Sequence, residues 1–437
     1  MTTPVGNSVS GDSSPSVPQE LIEYILDFLH DDIPTLRTCS LVSRCAFLPR
    51  SSYHIYSSVF IVHTGKFGLF REQYAGQLYR CRKLAALLKD SPHIAPLVTQ
   101  FGILAMADLS FMTKVFADTS LNYIIQSFRK LSHIEFVAGQ NQGSWADFPD
   151  ATRKSFLRAL RSLPLKTLTL KGIEFNDTHL EDVFTAAAKN AALKHLTLVC
   201  CYKGAGTSQL SNYPPICPPT NGLPALESLS ISRATGPEII LQLFFTHSLY
   251  SISSIQRLSL QIRPGTPSSF FQSLLNETRK TLECFTLDIY PLIGGKVCFD
   301  LSRHGNLSSF CAILPDPPSI LEMRLSPTLR TLSVKHVSRA WKANLNDSVR
   351  AWAKVGQLSL PALERAHIRL SDSVDNKNYY RSHCHWHTCG HQAETADHDT
   401  WKREVEESMP SAWKDKNFLI VEVVKEFERM IPRLRHH

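Results

Sequence analysis

The sequence predicts an α/β fold, with a small helical N-terminal domain followed by a solenoid that has parallel strands on its concave side and helices and loops on its convex side. Two observations predict this fold. A six-residue motif with apolar residues at its first, fourth and sixth positions recurs through the body of the chain. Residues 17–29, VPQELIEYILDFL, form an apolar helical pattern outside this repetition. Repeats of a strand and a return segment stack because no single unit can close its own core.

The N-terminal helix is expected to begin at about Pro18, because proline at a first helical position loses no hydrogen bond. Glu20 then lies in the first turn, where a negative charge favours the helix dipole. Apolar side chains cover more of the circumference than a one-sided surface helix requires; they are Leu21, Ile22, Ile25, Leu26, Phe28 and Leu29. The helix should therefore pack against two surfaces. A helix buried all round in a larger core is the alternative.

Two further short helical elements are expected within residues 17–61. The sequence Asp31-Asp32-Ile33-Pro34 breaks the first helix. The next segment places apolar residues where they can reach a common core, namely Leu36, Cys39, Leu41 and Val42. The sequence then runs through RCAFLPRSSYHIY to the apolar run SSVFIV, which fits either a strand or a helix end.

The order and spacing of residues 17–61 resemble the F-box family, in the form common in mushroom-forming fungi. That family opens with Leu-Pro-x-Glu-Leu/Ile and Ile-Leu, continues with Leu-x-x-Cys-x-x-Val, and ends with Arg and a Trp-x-Pro-like motif. The matching residues here are Val17, Pro18, Glu20, Leu21, Ile25, Leu26, Leu36, Cys39, Val42, Arg44, Phe47, Leu48 and Pro49. Val17 and Phe47 depart from the family's Leu and Trp, but both keep apolar bulk.

This resemblance implies that the surplus apolar face packs on a Skp-type adaptor, which would link the chain to a cullin-RING ubiquitin ligase. The adaptor-binding residues that it implies are Val17, Pro18, Glu20, Leu21, Ile25, Leu26, Leu29, Leu36, Val42, Phe47 and Leu48. The chain would then be the substrate-recognition subunit of an SCF-type (Skp-cullin-F-box) ubiquitin ligase. An intracellular leucine-rich-repeat scaffold without ligase engagement is the alternative, and the departures at Val17 and Phe47 favour it.

The repeated motif has the form Leu-x-x-Leu-x-Leu. Its clear copies are LKTLTL at Leu165, LKHLTL at Leu193, LESLSI at Leu226, IQRLSL at Ile255, LECFTL at Leu282, LRTLSV at Leu329 and LERAHI at Leu363, and weaker copies start at Val98, Leu131 and Leu307. The pattern resembles the degenerate leucine-rich repeats of F-box proteins, since the Asn that usually follows the strand is missing from most copies. An ordinary α/β protein with Leu-rich strands is the alternative.

These patterns divide the chain into six parts. They are a disordered tail at 1–14, an F-box-like domain at 15–62, a connecting helical segment at 63–90, the solenoid at 91–371, a loop containing His and Cys at 372–410, and a C-terminal cap at 411–437. The cap, NFLIVEVVKEFERMIPRLRHH, fits either a last strand followed by a short helix or a helix throughout. A cap is expected because a terminal repeat would otherwise expose its core.

Strand alternation predicts which side chains face a target. If the motif leucines point inward, the residues between and just after them lie on the concave surface. The candidate target-binding residues are Lys171, His195, Arg257, Lys335, Arg365, His367 and Arg369. Arginine can hold carboxylates and phosphates through two parallel bonds, so we expect an acidic or phosphorylated protein target near the C-terminal repeats. The alternative is that these charges only keep the solenoid in solution.

Composition narrows the compartment and the partners. The 437 residues are 43% hydrophobic and 20% charged, which is typical of globular domains. No apolar run is long enough for a membrane span and no signal peptide opens the sequence, so we expect a soluble protein of the cytoplasm, the nucleus or both. Residues 1–62 have a net charge of −3 in a chain of net +8. The basic excess is diffuse, and we expect no nucleic-acid partner.

Signals of catalysis are weak, and we expect no enzyme, no cofactor and no bound metal. Gly11-Asp12-Ser13 is similar to the nucleophile block of one esterase class, but that block follows a strand, whereas this one lies in a Ser-rich tail. Neither the HExxH motif nor paired Cys-x-x-Cys motifs with zinc spacing are present. The run HCHWHTCGH at 383–391, with His398 nearby, could supply zinc or copper ligands if the loop folded back. Its spacing does not select four ligands, so we interpret it as a polar loop. A metal-dependent enzyme built around residues 383–398 is the alternative.

Overall fold

The computed structural model describes most of the chain from residue 17 onward. The described residues are 17–42, 47–63, 72–105, 114–138, 143–199, 224–232, 244, 249–262, 268–289, 299–314, 323–338, 352–353, 355, 358, 360–372, 398–409 and 419–424. The predicted tail and the His- and Cys-rich run at 383–391 lie outside them.

The chain is an α/β protein built on an open sheet of twelve parallel strands. The strands among the described residues are β1 (Ser58–His63), β2 (Gln100–Ala105), β3 (His133–Ala138), β4 (Gly143–Ser144), β5 (Thr167–Lys171), β6 (Ile173–Glu174), β7 (His195–Val199), β8 (Ser228–Ser232), β9 (Arg257–Ile262), β10 (Cys284–Ile289), β11 (Ser309–Leu314), β12 (Thr331–Ser338), β13 (Arg365–Asp372) and β14 (Leu419–Val424). Short β4 and β6 pair separately with each other. The other twelve follow one another across the sheet in chain order, as in a solenoid.

Helices precede and connect the strands. They include α1 (Gln19–Phe28), α2 (Ile33–Val42), α3 (Leu48–Ser57), α4 (Glu72–Asp90), α5 (Thr119–Ser127), α6 (Asp150–Ser162), α7 (Asp177–Ala188), α8 (Ser268–Thr278) and α9 (His398–Ser408). We call α1, α2 and α3 the head. Helix α3 packs on both other head helices and runs directly into β1. The backbone N–H of Thr99 donates to the Ser57 carbonyl at 2.9 Å, which ties the head to the sheet.

The motif predicts the strand positions closely. Each of its ten starts lies two residues before a strand, from Val98 before β2 to Leu363 before β13. The sheet also extends beyond the predicted solenoid limits of 91–371 at both ends. The apolar run after the head forms β1, and residues of the predicted cap form β14. Helix α9 lies inside the segment predicted as a loop at 372–410.

A repeated hydrogen-bond arrangement holds the register of neighbouring strands. The carbonyl oxygen of Ser132, just before β3, accepts from the backbone N–H groups of Lys166 and Thr167 at 2.8 and 3.0 Å. The same two-donor arrangement recurs in each following repeat, up to the Arg330 carbonyl with Glu364 and Arg365. A carbonyl oxygen has two lone pairs and can accept both bonds. Each repeat therefore fixes the start of the next strand.

The two faces of the sheet differ in exposure. The apolar second and fourth positions of the strands are buried against the helices and connecting segments, as in Leu168 and Leu170 of β5. The alternate positions, such as Thr167 and Lys171, are half-buried. We call this second side the outer sheet face. The predicted inward-facing leucines and outward-facing polar residues thus lie on opposite faces.

Candidate functional site

The head exposes an unusual share of apolar surface. Of the eleven exposed large hydrophobic side chains among the described residues, nine lie between residues 17 and 53. They are Val17, Leu21, Tyr24, Ile25, Phe28, Leu41, Val42, Leu48 and Tyr53. Large apolar side chains clustered at the surface of a folded domain mark sites of interaction. The head is therefore the first candidate for a functional surface.

Four of these side chains form a continuous stripe on α1. Leu21, Tyr24, Ile25 and Phe28 are spaced by three, four and seven residues, so they share one helix face. We call this set the α1 stripe. The opposite face of α1 is turned inward, because Leu26 is fully buried. The structure thus shows one of the two packing surfaces predicted for this helix, while the second side is exposed.

An ion cluster holds α1 against α3. The Asp27 carboxylate accepts hydrogen bonds from Arg50 Nε at 2.5 Å, Arg50 Nη2 at 2.7 Å and His54 Nε2 at 2.8 Å. These bonds lower the pKa of Asp27 from 3.8 to about 2, with Arg50 contributing most. The cluster joins α1 to α3, so the helix that carries the α1 stripe is held in place.

A second acidic residue begins α2. Asp32 precedes the helix and accepts from both the backbone N–H and the hydroxyl of Thr35, at 3.1 and 2.6 Å. These bonds lower the pKa of Asp32. An N-cap of this kind pairs a backbone donor that the helix itself leaves unpaired. The predicted break at Asp31–Pro34 is thus also the specific start of the next helix.

The predicted adaptor-binding residues fall into three groups by their exposure. Seven are exposed: Val17, Pro18, Glu20, Leu21, Ile25, Val42 and Leu48. Leu29 and Phe47 are half-buried. Leu26 and Leu36 are completely buried and belong to the interior of the head, so they support the surface without being part of it. Residues 43–46, including the motif's Arg44, lie outside the described residues.

The prediction of site residues missed the most exposed apolar side chains. Phe28 is 82% exposed and Leu41 is 87% exposed, and neither was among the predicted adaptor-binding residues. Tyr24 and Tyr53 are exposed as well. For Tyr24 and Phe28 the signal was present, since their spacing from Leu21 and Ile25 places them on one helix face.

The predicted target-binding residues all lie on the outer sheet face. Lys171 is on β5, His195 on β7, and Arg257 on β9, while the remaining four lie on the paired strands β12 and β13. The register places Thr331 beside Arg365, Ser333 beside His367 and Lys335 beside Arg369. The structure thus brings Lys335, Arg365, His367 and Arg369 together and leaves Lys171 and His195 several strands away.

Several of these basic groups already have interactions. Lys171 Nζ lies 3.7 Å from the Glu135 carboxylate, and Arg369 Nε lies 3.4 Å from His367 Nε2. Lys335, His367 and Arg369 also make interactions of their own. Arg257 and Arg365 differ from them, because both are exposed and no carboxylate among the described residues lies within salt-bridge distance.

Charge at the middle of this face also affects His195. Burial, followed by the positive charge of Arg257, lowers the pKa of His195, while Glu227 opposes this shift. Glu227 is itself bonded to Lys194 at 2.5 Å. The start of strands β7 to β9 therefore has an overall positive character in which His195 favours its neutral form.

The composition of the outer sheet face changes along the sheet. On β1 to β3 this face carries apolar side chains, namely Phe60, Val62, Leu104 and Val137, beside the charged pair of Glu135 with Lys171. The central strands present small hydroxyl side chains, among them Ser228, Ser230, Ser259, Thr286 and Ser309. Basic side chains dominate on β12 and β13. Small side chains permit the close approach of a partner along the middle of the sheet.

The structure does not test the interpretation of the run at 383–391 as a polar loop, because these residues lie outside the described part of the chain. Within the described part of the chain, no three His, Cys, Asp or Glu side chains are grouped so that they could hold a metal ion. None of the described helices combines the length and apolar character needed to cross a membrane.

Comparisons with known proteins add no identification. No model of a known protein family matches the chain, and no curated protein is significantly similar to it.

Proposed function

We propose that the chain is the substrate-recognition subunit of an SCF-type ubiquitin ligase, with the head as an F-box and the sheet as a degenerate leucine-rich-repeat solenoid. The observation that carries the proposal is the concentration of exposed apolar side chains on the head. The order of residues 17–61 supplies the class of partner, because the F-box family that they resemble packs this region on a Skp-type adaptor.

The proposed mechanism is positioning. The head binds the adaptor, which is joined to a cullin-RING ligase, and the sheet binds a protein target. A lysine of the target is then held near the ubiquitin-loaded enzyme, so that transfer occurs at a high effective concentration. The chain itself contributes no reacting group to this scheme.

The outer sheet face is the proposed target surface. Arg257 and Arg365 are its exposed guanidinium groups without a salt-bridge partner in the described part of the chain. A guanidinium group can bind a carboxylate or phosphate through two parallel hydrogen bonds, which favours an acidic or phosphorylated target segment. Lys335, His367 and Arg369 already have interactions within the chain, so in this proposal they contribute to the charge of the surface and do not bind the target directly.

A repeat scaffold that does not engage a ligase is the second candidate function. The observation that favours it is the pair of departures from the family pattern at Val17 and Phe47. Val17 is exposed, whereas Phe47 is half-buried. Weaker packing at either position would reduce affinity for an adaptor while leaving the sheet unaffected.

Adaptor binding by a double variant of the α1 stripe tests the proposal. Leu21→Asp with Ile25→Asp places two charges in the proposed interface, which should weaken binding to a purified Skp-type adaptor by about a hundredfold or more. Both side chains are about half exposed, so the fold should persist, as checked by circular dichroism and thermal unfolding.

A matched control comes from the body of the protein. Leu87→Asp with Ile420→Asp changes the two exposed large hydrophobic residues that the described residues contain outside the head, with the same change in charge. This control should bind the adaptor like the unmodified chain. If the folded head variant and the control bind equally well, the F-box assignment is wrong. If the unmodified chain does not bind the adaptor, the scaffold function is favoured.

A further inference from the structure

A cavity of about 490 Å³ lies on the helix side of the sheet, away from the head and from the outer sheet face. Helix α8 and the segments that precede β11 and β12 form it. Its polar lining consists mainly of Gln272, Asn276, Arg279, Asp300, Arg303 and Arg324. Three guanidinium groups and one carboxylate give this lining a net charge of +2. The proposed function does not use this site.

The floor of the cavity is buried and fixed. Phe299 and His304 are each only 1% exposed. His304 Nδ1 lies 3.2 Å from the Leu301 carbonyl oxygen, and Nε2 lies 2.9 Å from the Leu275 carbonyl oxygen. Both ring nitrogens thus face the backbone, and the imidazole locks the segment after Phe299 onto α8.

The amide side of the lining is also held in place. Gln272 Oε1 accepts from the Asp300 backbone N–H at 3.0 Å, and Gln272 Nε2 donates to the Asp300 carbonyl at 3.2 Å. The same nitrogen donates to Asn276 Oδ1 at 3.0 Å. This leaves the Asn276 amide nitrogen as a donor with no partner among the described residues. A neutral donor next to positive charge favours an oxyanion.

The single carboxylate of the lining, that of Asp300, already accepts hydrogen bonds from neighbouring groups of the chain. Asp300 accepts from the Ser302 backbone N–H at 3.0 Å and from the Ser302 hydroxyl at 2.5 Å, which lowers the pKa of Asp300. Its other oxygen lies 3.7 Å from Arg324 Nη1. Arg279 and Arg303 have no carboxylate within salt-bridge distance in the described part of the chain. Two guanidinium groups therefore remain for a ligand.

We propose that this cavity binds a small phosphate-containing ligand with two or more negative charges, such as a diphosphate or a phosphate ester. Guanidinium groups bind phosphate oxygens through paired, charge-assisted hydrogen bonds, and the Asn276 amide adds a neutral donor. The volume is suited to a small molecule. A divalent cation does not fit this lining, because only one carboxylate stands against three arginines.

Titration calorimetry of the full chain with inorganic pyrophosphate, at fixed ionic strength, tests the site directly. Arg279→Gln with Arg303→Gln should weaken binding about tenfold or more. Arg158→Gln with Arg161→Gln removes the same charge from exposed positions on α6 and should leave the affinity unchanged. Because all four arginines are exposed, both variants should unfold at the same temperature as the unmodified chain without ligand.

Two comparisons separate a built site from general attraction of anions. Sodium sulfate at equal ionic strength should bind at least about tenfold more weakly than pyrophosphate, since it has fewer oxygens to engage the arginines. Equal weakening by the two double variants, or no binding of pyrophosphate, would overturn the proposal. Tight binding of a phosphoserine peptide without binding of pyrophosphate would also overturn it, because the ligand would then be a protein segment. None of these outcomes depends on adaptor binding.

Discussion

The head and the sheet use the same kinds of apolar residue in opposite ways. On β10, Phe285 and Leu287 are at most 1% exposed, whereas on α1, Leu21 is 50% exposed and Phe28 is 82% exposed. Each inner strand of the sheet has a neighbouring repeat on both sides. Within the described residues, the α1 stripe has no such neighbour. Leaving apolar surface in water rather than burying it costs about 25 cal/mol for each Å², so the exposed side chains of the head are unfavourable until another molecule covers them.

The difference teaches where each region obtains its stability. A repeat in the sheet is closed by the next repeat, so its apolar residues are used within the chain. Among the described residues of the head, the buried hydrophobic side chains are Leu26 and Leu36, and an ion cluster on Asp27 supplies part of the contact between α1 and α3. The apolar residues left outside the head are therefore available to another molecule.

The largest difference in stability between the two regions should appear when one phenylalanine in each is replaced by alanine. Phe285 is buried, with its ring stacked on Phe310 at 5.5 Å between centroids. Phe285→Ala should cost about 3–5 kcal/mol in the free energy of unfolding, from lost burial and a cavity. Phe28→Ala should change it by no more than about 0.5 kcal/mol. Denaturant unfolding of both variants measures the contrast. Equal losses would show that Phe28 is covered within the chain.

A glycine at the end of β5 should give the next largest effect. Gly172 has φ of 71°, and a Cβ added there would lie 2.4 Å from the Ala138 carbonyl oxygen. Gly172→Ala should therefore destabilise the sheet by about 1–3 kcal/mol through backbone strain and this clash. Gly305→Ala is the matched control, since its added Cβ would meet no atom within 4 Å. If both substitutions have the same effect on thermal unfolding, the positive φ at residue 172 is not part of the folded state.

Much of the sheet was predictable, because the motif sets the strand positions directly. Buried leucines at a period of two define a strand, and ten motif starts each precede one by two residues. The strands β1 and β14 lack the motif, and a short apolar run alone does not distinguish a strand from a helix. Helix α9 was missed because its sequence is mostly charged. The structures of β1, β14 and α9 depend on contacts with other parts of the chain, which the local sequence pattern does not show.

The candidate site was predictable only in part. The helical spacing on α1 predicted an apolar surplus, but which residues are covered depends on how α3 packs. Leu26 and Ile25 are adjacent in the sequence, yet one is buried and the other is 48% exposed. Likewise, strand alternation predicted the face of Lys171 and Arg257, whereas the pairing of Lys171 with Glu135 arises from neighbouring strands. Exposure and ion pairing are properties of the assembled structure.

The smallest predicted effect concerns the ion cluster that supports the α1 stripe. Asp27 has a pKa of about 2 in the folded chain, below its ordinary value of 3.8. Because the folded pKa is depressed, the cluster contributes stability above pH 3.8, and this contribution is lost as the pH falls to about 2. Asp27→Asn should cost less than about 1 kcal/mol, since the carboxylate is 41% exposed and solvent screens the pair.

The pH dependence of that cost distinguishes the ion cluster from a general loss of packing. The difference in unfolding free energy between the unmodified chain and Asp27→Asn should be constant above about pH 5 and should shrink between pH 4 and pH 2. Asp31→Asn is the control, since it removes a nearby, more exposed carboxylate and leaves the bonds of Arg50 intact. A pH-independent cost of Asp27→Asn would mean that Asp27 does not join α1 to α3 through charge. The position of the α1 stripe would then depend on packing, to which the buried Leu26 and Leu36 contribute.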